Sequence, residues 1–155
     1  MKNQFMTRAI QLAMDSVQSS GGGPFGAVIV KDGTIVGEGA NSVTSTNDPT
    51  AHAEVVAIRK ACGKLGSFEL LNCDLYTSCE PCPMCLGAIY WTRLARVYFA
   101  NTTSDAARIG FDDSFIYQEI ALPYAQRRIP TTQMMREEAL AAFQAWENKA
   151  DKSLY

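Results

Sequence analysis

The stretch Asp74-Leu75-Tyr76-Thr77-Ser78-Cys79-Glu80-Pro81-Cys82-Pro83-Met84-Cys85 joins two secondary-structure elements. Residues 74–78 have the composition of a short strand. Pro81 and Pro83 suit the first turn of a helix, because the backbone N–H that proline lacks would be unpaired there anyway. Residues 86–91 are predicted to continue that helix. A strand that leads directly into a helix favours an α/β fold.

Helices and strands alternate on both sides of this stretch. Strands at 25–30 and 34–40 are predicted to form a hairpin, because the intervening Lys31-Asp32-Gly33 tolerates the positive φ angles of a tight turn. A hairpin pairs its strands antiparallel, so we predict a mixed sheet. Ahead of the hairpin, the sequence predicts an amphipathic helix with Phe5, Ala9, Leu12, Ala13 and Val17 on one face, followed by a flexible turn at Gly21-Gly22-Gly23. After the hairpin it predicts a helix from 47 to 65 that is capped by Asp48 or Thr50. Towards the C-terminus it predicts strands at 95–100 and 129–135 and a helix at 137–149 with Leu140, Phe143 and Trp146 on one side. The predicted sheet therefore has five strands.

The overall composition fits one folded domain that comprises residues 1–155. Of the 155 residues, 47% are hydrophobic and 19% are charged, which is an ordinary globular balance. The net charge is -2 and no stretch is densely basic, so a small-molecule substrate is favoured over a long nucleic acid. The N-terminus lacks the pattern of a signal peptide, and no run is apolar enough to span a membrane. We therefore expect a cytoplasmic protein without membrane attachment.

The single histidine and two of the five cysteines form a pattern typical of a zinc site. His52 lies at the start of one predicted helix, and Cys82 and Cys85 lie at the start of another. A spacing of three residues places both sulfurs on one helix face, and the positive end of the helix dipole favours thiolates. Zinc binds imidazole and thiolate together, so these three residues are predicted to hold one zinc ion.

Glu54, two residues after His52, is the predicted proton carrier. Three protein ligands leave a fourth position for water, whose pKa on zinc falls towards about 7. A carboxylate competes poorly for zinc beside softer ligands. We therefore expect Glu54 next to the open position, where it could pass protons between water and a substrate nitrogen.

Two other interpretations of the cysteines remain open. Cys79 could complete a structural site with three cysteines and one histidine, which would leave no open position. The Cys82-x-x-Cys85 pair could instead perform redox chemistry, as in thioredoxin-type motifs, although this leaves the histidine and the glutamate without a role. The remaining cysteines, Cys62 and Cys73, are predicted to be small core residues. Because three of the five cysteines crowd into seven residues, a disulfide framework is disfavoured.

Longer motifs carry a resemblance to a known family. His52-Ala53-Glu54 and Pro81-Cys82-Pro83-Met84-Cys85 match the zinc-deaminase signature H-x-E…P-C-x-x-C, which cytidine, cytosine and tRNA adenosine deaminases share. Over nearly its whole length, the chain closely resembles the small bacterial guanine deaminases of the cytidine-deaminase-like superfamily. The further stretches that carry this resemblance are Gly23-Pro24-Phe25-Gly26-Ala27, Asn47-Asp48-Pro49-Thr50-Ala51, Ser78-Cys79-Glu80, Gly110-Phe111-Asp112-Asp113-Ser114 and the terminal Tyr155.

The resemblance implies a three-layer α/β/α cytidine-deaminase-like fold and zinc-dependent hydrolysis of guanine to xanthine and ammonia. In this reaction Glu54 would be the general acid and base. The resemblance also implies a homodimer whose C-terminal segments are exchanged between subunits. The implied substrate contacts are Asp113 and Tyr155 as guanine-recognising groups, Asn41 on the purine, Phe25 and Trp91 beside the ring, and Ala53 as a further contact.

Without the resemblance, simpler roles would be preferred for the substrate-contact residues. Asn41 would be a turn residue, Asp112-Asp113 a helix cap and Tyr155 a frayed terminus, while Phe25 and Trp91 would be core residues. Other functions also remain open. The first is a tRNA adenosine deaminase, which has a very similar Pro-Cys-x-Met-Cys stretch but is expected to need a basic surface. The others are a guanosine deaminase and a zinc-stabilised module without catalysis.

Overall fold

A computed structural model describes residues 3–155 of the chain. Two compact units follow one another, the first ending at Asp113 and the second running from Ser114 to Tyr155. The elements of the first unit are α1 (Gln4–Gln18), β1 (Gly26–Lys31), β2 (Thr34–Ala40), α2 (Val43–Thr46), α3 (Ala53–Leu65), β3 (Cys73–Cys79), α4 (Pro83–Trp91), β4 (Arg96–Asn101) and α5 (Thr103–Arg108).

The predicted hairpin is present. β1 and β2 pair antiparallel with Lys31 opposite Thr34, so the turn consists of the two residues between them. Both have positive φ angles, 48° at Asp32 and 74° at Gly33. Such a turn matches the right-handed twist of the two strands, and Asp-Gly supplies it at low steric cost.

The sheet is mixed, as the sequence predicts, with the strand order β2-β1-β3-β4. β1 is antiparallel to both of its neighbours, whereas β3 and β4 are parallel. Parallel neighbours need a crossover connection, which α4 supplies. Because α4 follows β3 directly, residues 80–85 lie at the carboxyl end of β3.

Helices cover both faces of the sheet and produce the three-layer α/β/α arrangement. The α1 face is a small cluster in which Phe5, Met6 and Leu12 pack on the sheet residues Val28, Val30 and Tyr76. The opposite face is larger. There the sheet residues Ala27, Ile29 and Leu75 form a core with Ala53, Ala57, Ile58 and Ala61 of α3 and Ile89 of α4.

The backbone of α3 lies very close to β2 at Gly39. A Cβ atom at Gly39 would lie 2.1 Å from the carbonyl oxygen of Ala53 and 2.6 Å from the amide nitrogen of Ala57. A glycine is required at this position because any other residue would collide with helix backbone. The contact anchors the first turn of α3, which carries Glu54.

The helix predicted from residue 47 begins at Ala53, with His52 as its N-cap residue. The predicted caps form a turn ahead of it. One carboxylate oxygen of Asp48 accepts hydrogen bonds from the amide and hydroxyl of Thr50, at 2.8 and 2.6 Å. Side-chain hydrogen bonds of this kind compete with helix formation, so the helix starts later than the sequence suggests.

The buried face of α1 differs slightly from the predicted one. Ala9 and Ala13 are buried, but Val17 is 52% exposed and its neighbour Ser16 is buried instead. Ser16 can be buried because its hydroxyl donates to the carbonyl oxygen of Asn41 at 3.1 Å. A buried hydroxyl needs such a partner, and hydropathy alone does not reveal one.

The second unit contains α6 (Ser114–Ala121), a 3-10 turn (Tyr124–Gln126) and α7 (Arg136–Glu147). The strand predicted at 129–135 is not formed, so the sheet in the described part of the chain has four strands rather than five. Pro130 in this segment cannot donate to a strand ladder. The predicted C-terminal helix is confirmed as α7, although Phe143 on its apolar side is 71% exposed. None of the helices within residues 3–155 is long and apolar enough to cross a membrane.

Candidate metal centre

Two helix N-termini meet at this site. His52 is the N-cap residue of α3, Cys82 is the N-cap residue of α4, and Cys85 lies in the first turn of α4. Neither N-cap side chain bonds to its own helix, so the imidazole and the thiol are available to each other. Pro83 at the first position of α4 favours the helical φ angle that brings Cys82 and Cys85 to one side.

The three side chains have the separations expected for tetrahedral zinc ligands. The Nδ1 atom of His52 lies 3.5 Å from the Sγ atom of Cys82 and 3.5 Å from that of Cys85. Zinc bonds of about 2.0 Å to nitrogen and 2.3 Å to sulfur, at tetrahedral angles, would place nitrogen and sulfur about 3.5 Å apart. All three ligand atoms lie within 4.8 Å of one another. The donor set therefore fits one zinc ion.

The electrostatics of the cluster favour a thiolate. Hydrogen bonds from Cys85 and His52 lower the pKa of Cys82 to about 4. The Cys82 sulfur in turn raises the pKa of His52 and, together with burial, raises the pKa of the Cys85 thiol. The positive ends of two helix dipoles thus stabilise one negative charge on Cys82. Binding of zinc by both sulfurs also requires the Cys85 thiol to lose its proton.

The Glu54 carboxyl group is buried beside the cluster. Its Oε2 atom lies 3.4 Å from the Sγ atom of Cys85, and its Oε1 atom accepts from the hydroxyl of Thr77 at 3.4 Å. Burial raises the pKa of Glu54 above its ordinary value. Among the described residues, the cluster of candidate metal ligands contains His52, Cys82 and Cys85 but not Glu54. The Glu54 carboxyl group therefore lies next to the ligands and is not one of them.

Cys79 does not join the ligand cluster. Its Sγ atom lies 3.7 Å from the carbonyl oxygen of Thr102, and burial raises the pKa of its thiol to about 11. A neutral thiol that contacts a backbone carbonyl is not placed as a fourth ligand. All five cysteines are free thiols, and Cys73 is buried in the core as predicted, while Cys62 is partly buried against it.

Three of the predicted substrate contacts lie close to the metal ligands or to each other. Asn41 is buried directly after β2, and its backbone N–H donates to the carbonyl oxygen of Phe25 at 3.0 Å. The Phe25 ring meets the ring of Phe111 edge-on, with centroids 5.0 Å apart. Asp113 is half-buried, and its pKa is raised by burial and then by the negative charge of Cys82. An acceptor group therefore lies within electrostatic reach of the centre.

The other predicted contacts are placed differently. Ala53 is fully buried at the N-terminus of α3, so neither its backbone nor its methyl group is exposed. Trp91 ends α4 and is 66% exposed, roughly 13 Å along the helix from Cys82. Tyr155 belongs to the second unit and is 71% exposed.

Sequence reasoning did not identify three residues of this region. Thr77, which contacts Glu54, is on the predicted strand but carries no motif signal. Ser16 and Gly22, which touch Asn41, belong to a helix and a loop that the sequence assigned to packing and flexibility. The one signal that the sequence offers for Ser16 is its place four residues after Leu12 and three after Ala13, which puts a polar residue on the apolar side of the helix.

A three-layer fold with a thiolate–imidazole zinc site and an adjoining buried carboxyl group defines a zinc-dependent hydrolase. Residues 1–101 match the family described as the cytidine and deoxycytidylate deaminase zinc-binding region. The chain belongs to this family.

Its relatives include enzymes with different substrates. The chain is 60% identical to a guanine deaminase of Bacillus subtilis over 151 residues, which cover 97% of both chains. A crystal structure of Bacillus subtilis guanine deaminase has a TM-score of 0.96 with 59% identity, covering 100% of this chain and 99% of that one. A tRNA-specific adenosine deaminase of Haemophilus influenzae is 40% identical over 71% of this chain and 66% of its own length.

Proposed function

We propose that this protein hydrolyses guanine to xanthine and ammonia, as a step in the breakdown or salvage of purines. The observation that carries the proposal is the 60% identity to a guanine deaminase along 97% of both chains. The match extends well beyond the zinc-binding region, which ends at residue 101 and is common to deaminases of several substrates. It therefore includes the segment with Asp113, and the structural match to guanine deaminase of Bacillus subtilis covers 100% of the chain.

The zinc ion would be held by His52, Cys82 and Cys85. When bound, zinc supplies a Lewis acid that makes water a nucleophile at neutral pH. The protein supplies the three ligands, of which Cys82 is deprotonated most readily, and it leaves the carboxyl group of Glu54 outside the ligand set. This arrangement is typical of a catalytic site rather than a closed structural one.

Glu54 would carry the protons. Water attacks C2 of guanine, and Glu54 takes a proton from the water and gives it to a ring nitrogen. A second proton passes through Glu54 to the amino group, which leaves as ammonia while the C2 carbonyl of xanthine forms. A buried carboxyl group suits both roles, since it is not committed to the ionised form as an exposed carboxylate would be.

The substrate would be recognised by groups on both sides of the centre. Ionised Asp113 offers only acceptors, which fits the amino and ring N–H donors of guanine. The carboxamide of Asn41 would donate to acceptors of the purine, and Ala53 is buried between His52 and Glu54. The Phe25 ring, held edge-on by Phe111, would lie against the purine face.

We also propose a homodimer with exchanged C-terminal segments, in which Tyr155 completes the partner's pocket. Several aromatic side chains on α4 and the edge strand β4 are exposed, which is unusual for a surface that remains in water. Covering by a second subunit would also bury the exposed part of Trp91. The exposed aromatic side chains on α4 and β4 are Tyr90, Trp91, Tyr98 and Phe99. A cytoplasmic location is part of the same proposal, because the ligand cysteines must stay reduced.

A tRNA adenosine deaminase is the second candidate, since such an enzyme is 40% identical over 71% of the chain. An anticodon loop carries many phosphates, and its recognition calls for clustered basic residues. The net charge of this chain is -2, with 14 basic and 16 acidic residues. The charge balance therefore favours the free base over tRNA.

Ammonia release from a panel of amino compounds tests the substrate. The purified zinc-loaded protein is assayed with guanine, guanosine, adenine, cytosine, cytidine and a tRNA anticodon stem-loop. We expect guanine to have the highest kcat/KM. Efficient deamination of another compound with none of guanine would overturn the proposal, and activity on guanosine equal to that on guanine would show that the pocket accepts a ribose.

A further inference from the structure

The Asn41 side chain is held by its oxygen alone. Its Oδ1 atom accepts hydrogen bonds from the backbone N–H of Gly23 at 3.2 Å and from that of Val43 at 3.3 Å. A carbonyl oxygen has two lone pairs, so both are occupied. Nδ2 of Asn41 has no hydrogen-bond partner among residues 3–155. Every buried side-chain nitrogen or oxygen in these residues does have a partner, so Nδ2 is not buried. Nδ2 is therefore the atom that remains accessible.

The carboxamide cannot turn over in this setting. A rotation that exchanged Oδ1 and Nδ2 would break two hydrogen bonds and place the NH₂ group against two N–H donors. Buried polar groups without partners are costly, by about 1–3 kcal/mol each. The Asn41 side chain therefore presents two donors to the pocket and no acceptor.

Two further residues hold the backbone of Asn41. The hydroxyl of Ser16, buried on α1, donates to the Asn41 carbonyl oxygen at 3.1 Å. Gly22 packs directly on the same residue, because a Cβ atom there would lie 2.2 Å from the Asn41 carbonyl oxygen and 2.7 Å from Oδ1. The Gly21-Gly22-Gly23 loop, predicted to be a flexible turn, thus forms one wall of a close-fitting contact.

We propose that Ser16, Gly22 and the Gly23 amide are positioning elements that fix Asn41 as a donor-only contact and so make the pocket select ligands with an acceptor at that point. This inference rests on the proposed function, because guanine presents such acceptors in its carbonyl oxygen and ring nitrogens. The bracket formed by these three residues acts through Asn41 and does not touch the substrate. Through Ser16, the C-terminal part of α1 therefore affects substrate selection.

A pair of glycine variants tests the bracket. Gly22→Ala drives a methyl group into Asn41, whereas Gly21→Ala meets nothing closer than the Ser19 hydroxyl at 3.3 Å. For Gly22→Ala we expect the KM for guanine to rise about 10-fold or more, because small misplacements of a contact group are costly. For Gly21→Ala we expect a KM within about 2-fold of wild type, since a Cβ atom at this half-buried position meets no atom of Asn41. Zinc content stays at wild-type level in both.

Ser16→Ala keeps the inference testable if Gly22→Ala does not fold. It removes one hydrogen bond, so we expect the KM to rise about 3- to 10-fold with a smaller change in kcat. Asn41→Asp is the sharpest variant, since it keeps the acceptor for Gly23 and Val43 but replaces the donor with a second acceptor. It should lose guanine binding while retaining zinc and the wild-type melting temperature within a few degrees.

The outcomes separate the bracket from the proposed function. Absence of guanine deamination by the wild-type protein would overturn the function, and the KM comparison would then use the best substrate of the panel. A KM unchanged in both Gly22→Ala and Ser16→Ala, or raised equally in Gly21→Ala and Gly22→Ala, would overturn the bracket. An Asn41→Asp protein with the wild-type KM would overturn the donor-only orientation.

Discussion

The hydroxyl of Thr77 on β3 lies 3.4 Å from one carboxyl oxygen of Glu54 at the start of α3. The other oxygen of that carboxyl group lies 3.4 Å from the sulfur of Cys85. Glu54 is therefore held between the sheet and the start of α4. Because β3 continues directly into the segment with Cys82 and Cys85, one strand positions both the carboxyl group and two metal ligands.

Replacing Glu54 with glutamine separates catalysis from zinc binding. Glutamine keeps the size of the side chain but cannot accept and release a proton in this pH range, so kcat for ammonia release should fall by a factor of about 10² to 10⁴. Zinc content and melting temperature should stay near wild type, because Glu54 lies outside the ligand set. Steady-state ammonia release and metal analysis of the same preparation provide both readouts. Wild-type turnover in Glu54→Gln would contradict the proton-transfer role of Glu54.

Thr77→Val removes the hydroxyl that faces Glu54 and keeps the shape of the side chain. Thr77 is 1% exposed, so no water replaces the lost contact without rearrangement. We expect kcat to fall about 3- to 10-fold, as for the loss of one hydrogen bond to a catalytic group, with the KM for guanine nearly unchanged. An equal loss of zinc content and activity would indicate that Thr77 supports the metal ligands instead.

The elements that the sequence predicts well depend on local chemistry. Asp32-Gly33 specifies its own turn, and Pro83 specifies the start of α4 just after Cys82. The sequence predicts too early a start for α3, because Asp48 and Thr50 have the residue types of caps but bond to each other. The choice between a cap and a turn depends on where the chain goes next, which is a tertiary property.

The site was predictable where it relies on spacing and obscure where it relies on contact across the chain. Residue type and helix position identify His52, Cys82 and Cys85 as metal ligands in the sequence, and the fold brings their ligand atoms together. Ser16 and Thr77 are ordinary polar residues whose importance comes from partners 25 and 23 positions away. The missing strand at 129–135 is a failure of the same kind, since a strand needs a neighbour that the pattern cannot supply.

Zinc dependence can be tested by the same substitution at two cysteines, Cys82 inside the ligand cluster and Cys79 outside it. Cys82→Ser should lower bound zinc from one ion per chain to well below half, because a hydroxyl binds zinc far more weakly than a thiolate, and activity should fall in proportion. Cys79→Ser should keep the full zinc content, because the Cys79 sulfur contacts the Thr102 carbonyl instead. Loss of zinc in the Cys79 variant would support a fourth protein ligand and a structural site. Removing zinc from the wild-type protein with a chelator should abolish activity, and added zinc should restore it.

The close approach of α3 to β2 predicts opposite effects for two glycine-to-alanine changes. In Gly39→Ala the methyl group would collide with the backbone of Ala53 and Ala57, so we expect unfolding free energy to fall by about 1–3 kcal/mol. Gly63 lies in the exposed part of α3 with nothing within 4 Å of its absent Cβ, so Gly63→Ala should raise the unfolding free energy by about 0.5–1 kcal/mol. Urea denaturation measures both. An unchanged unfolding free energy in Gly39→Ala would contradict the need for a glycine where α3 approaches β2.

Deleting Leu154 and Tyr155 should impair guanine deamination more than stability. Both side chains are exposed in the second unit, so their removal costs little folding free energy. If Tyr155 completes the partner's pocket, the truncated protein and Glu54→Gln are inactive for different reasons and can complement each other. A hybrid dimer, co-expressed with two affinity tags and purified through both, would contain one site with an intact Glu54 and an intact Tyr155 from the other chain. We expect about half of the wild-type activity per dimer in this hybrid, because a two-fold symmetric dimer has two equivalent sites. If each C-terminus instead completed the pocket of its own chain, neither site of the hybrid would be intact, and its activity would stay at the level of the two parent variants.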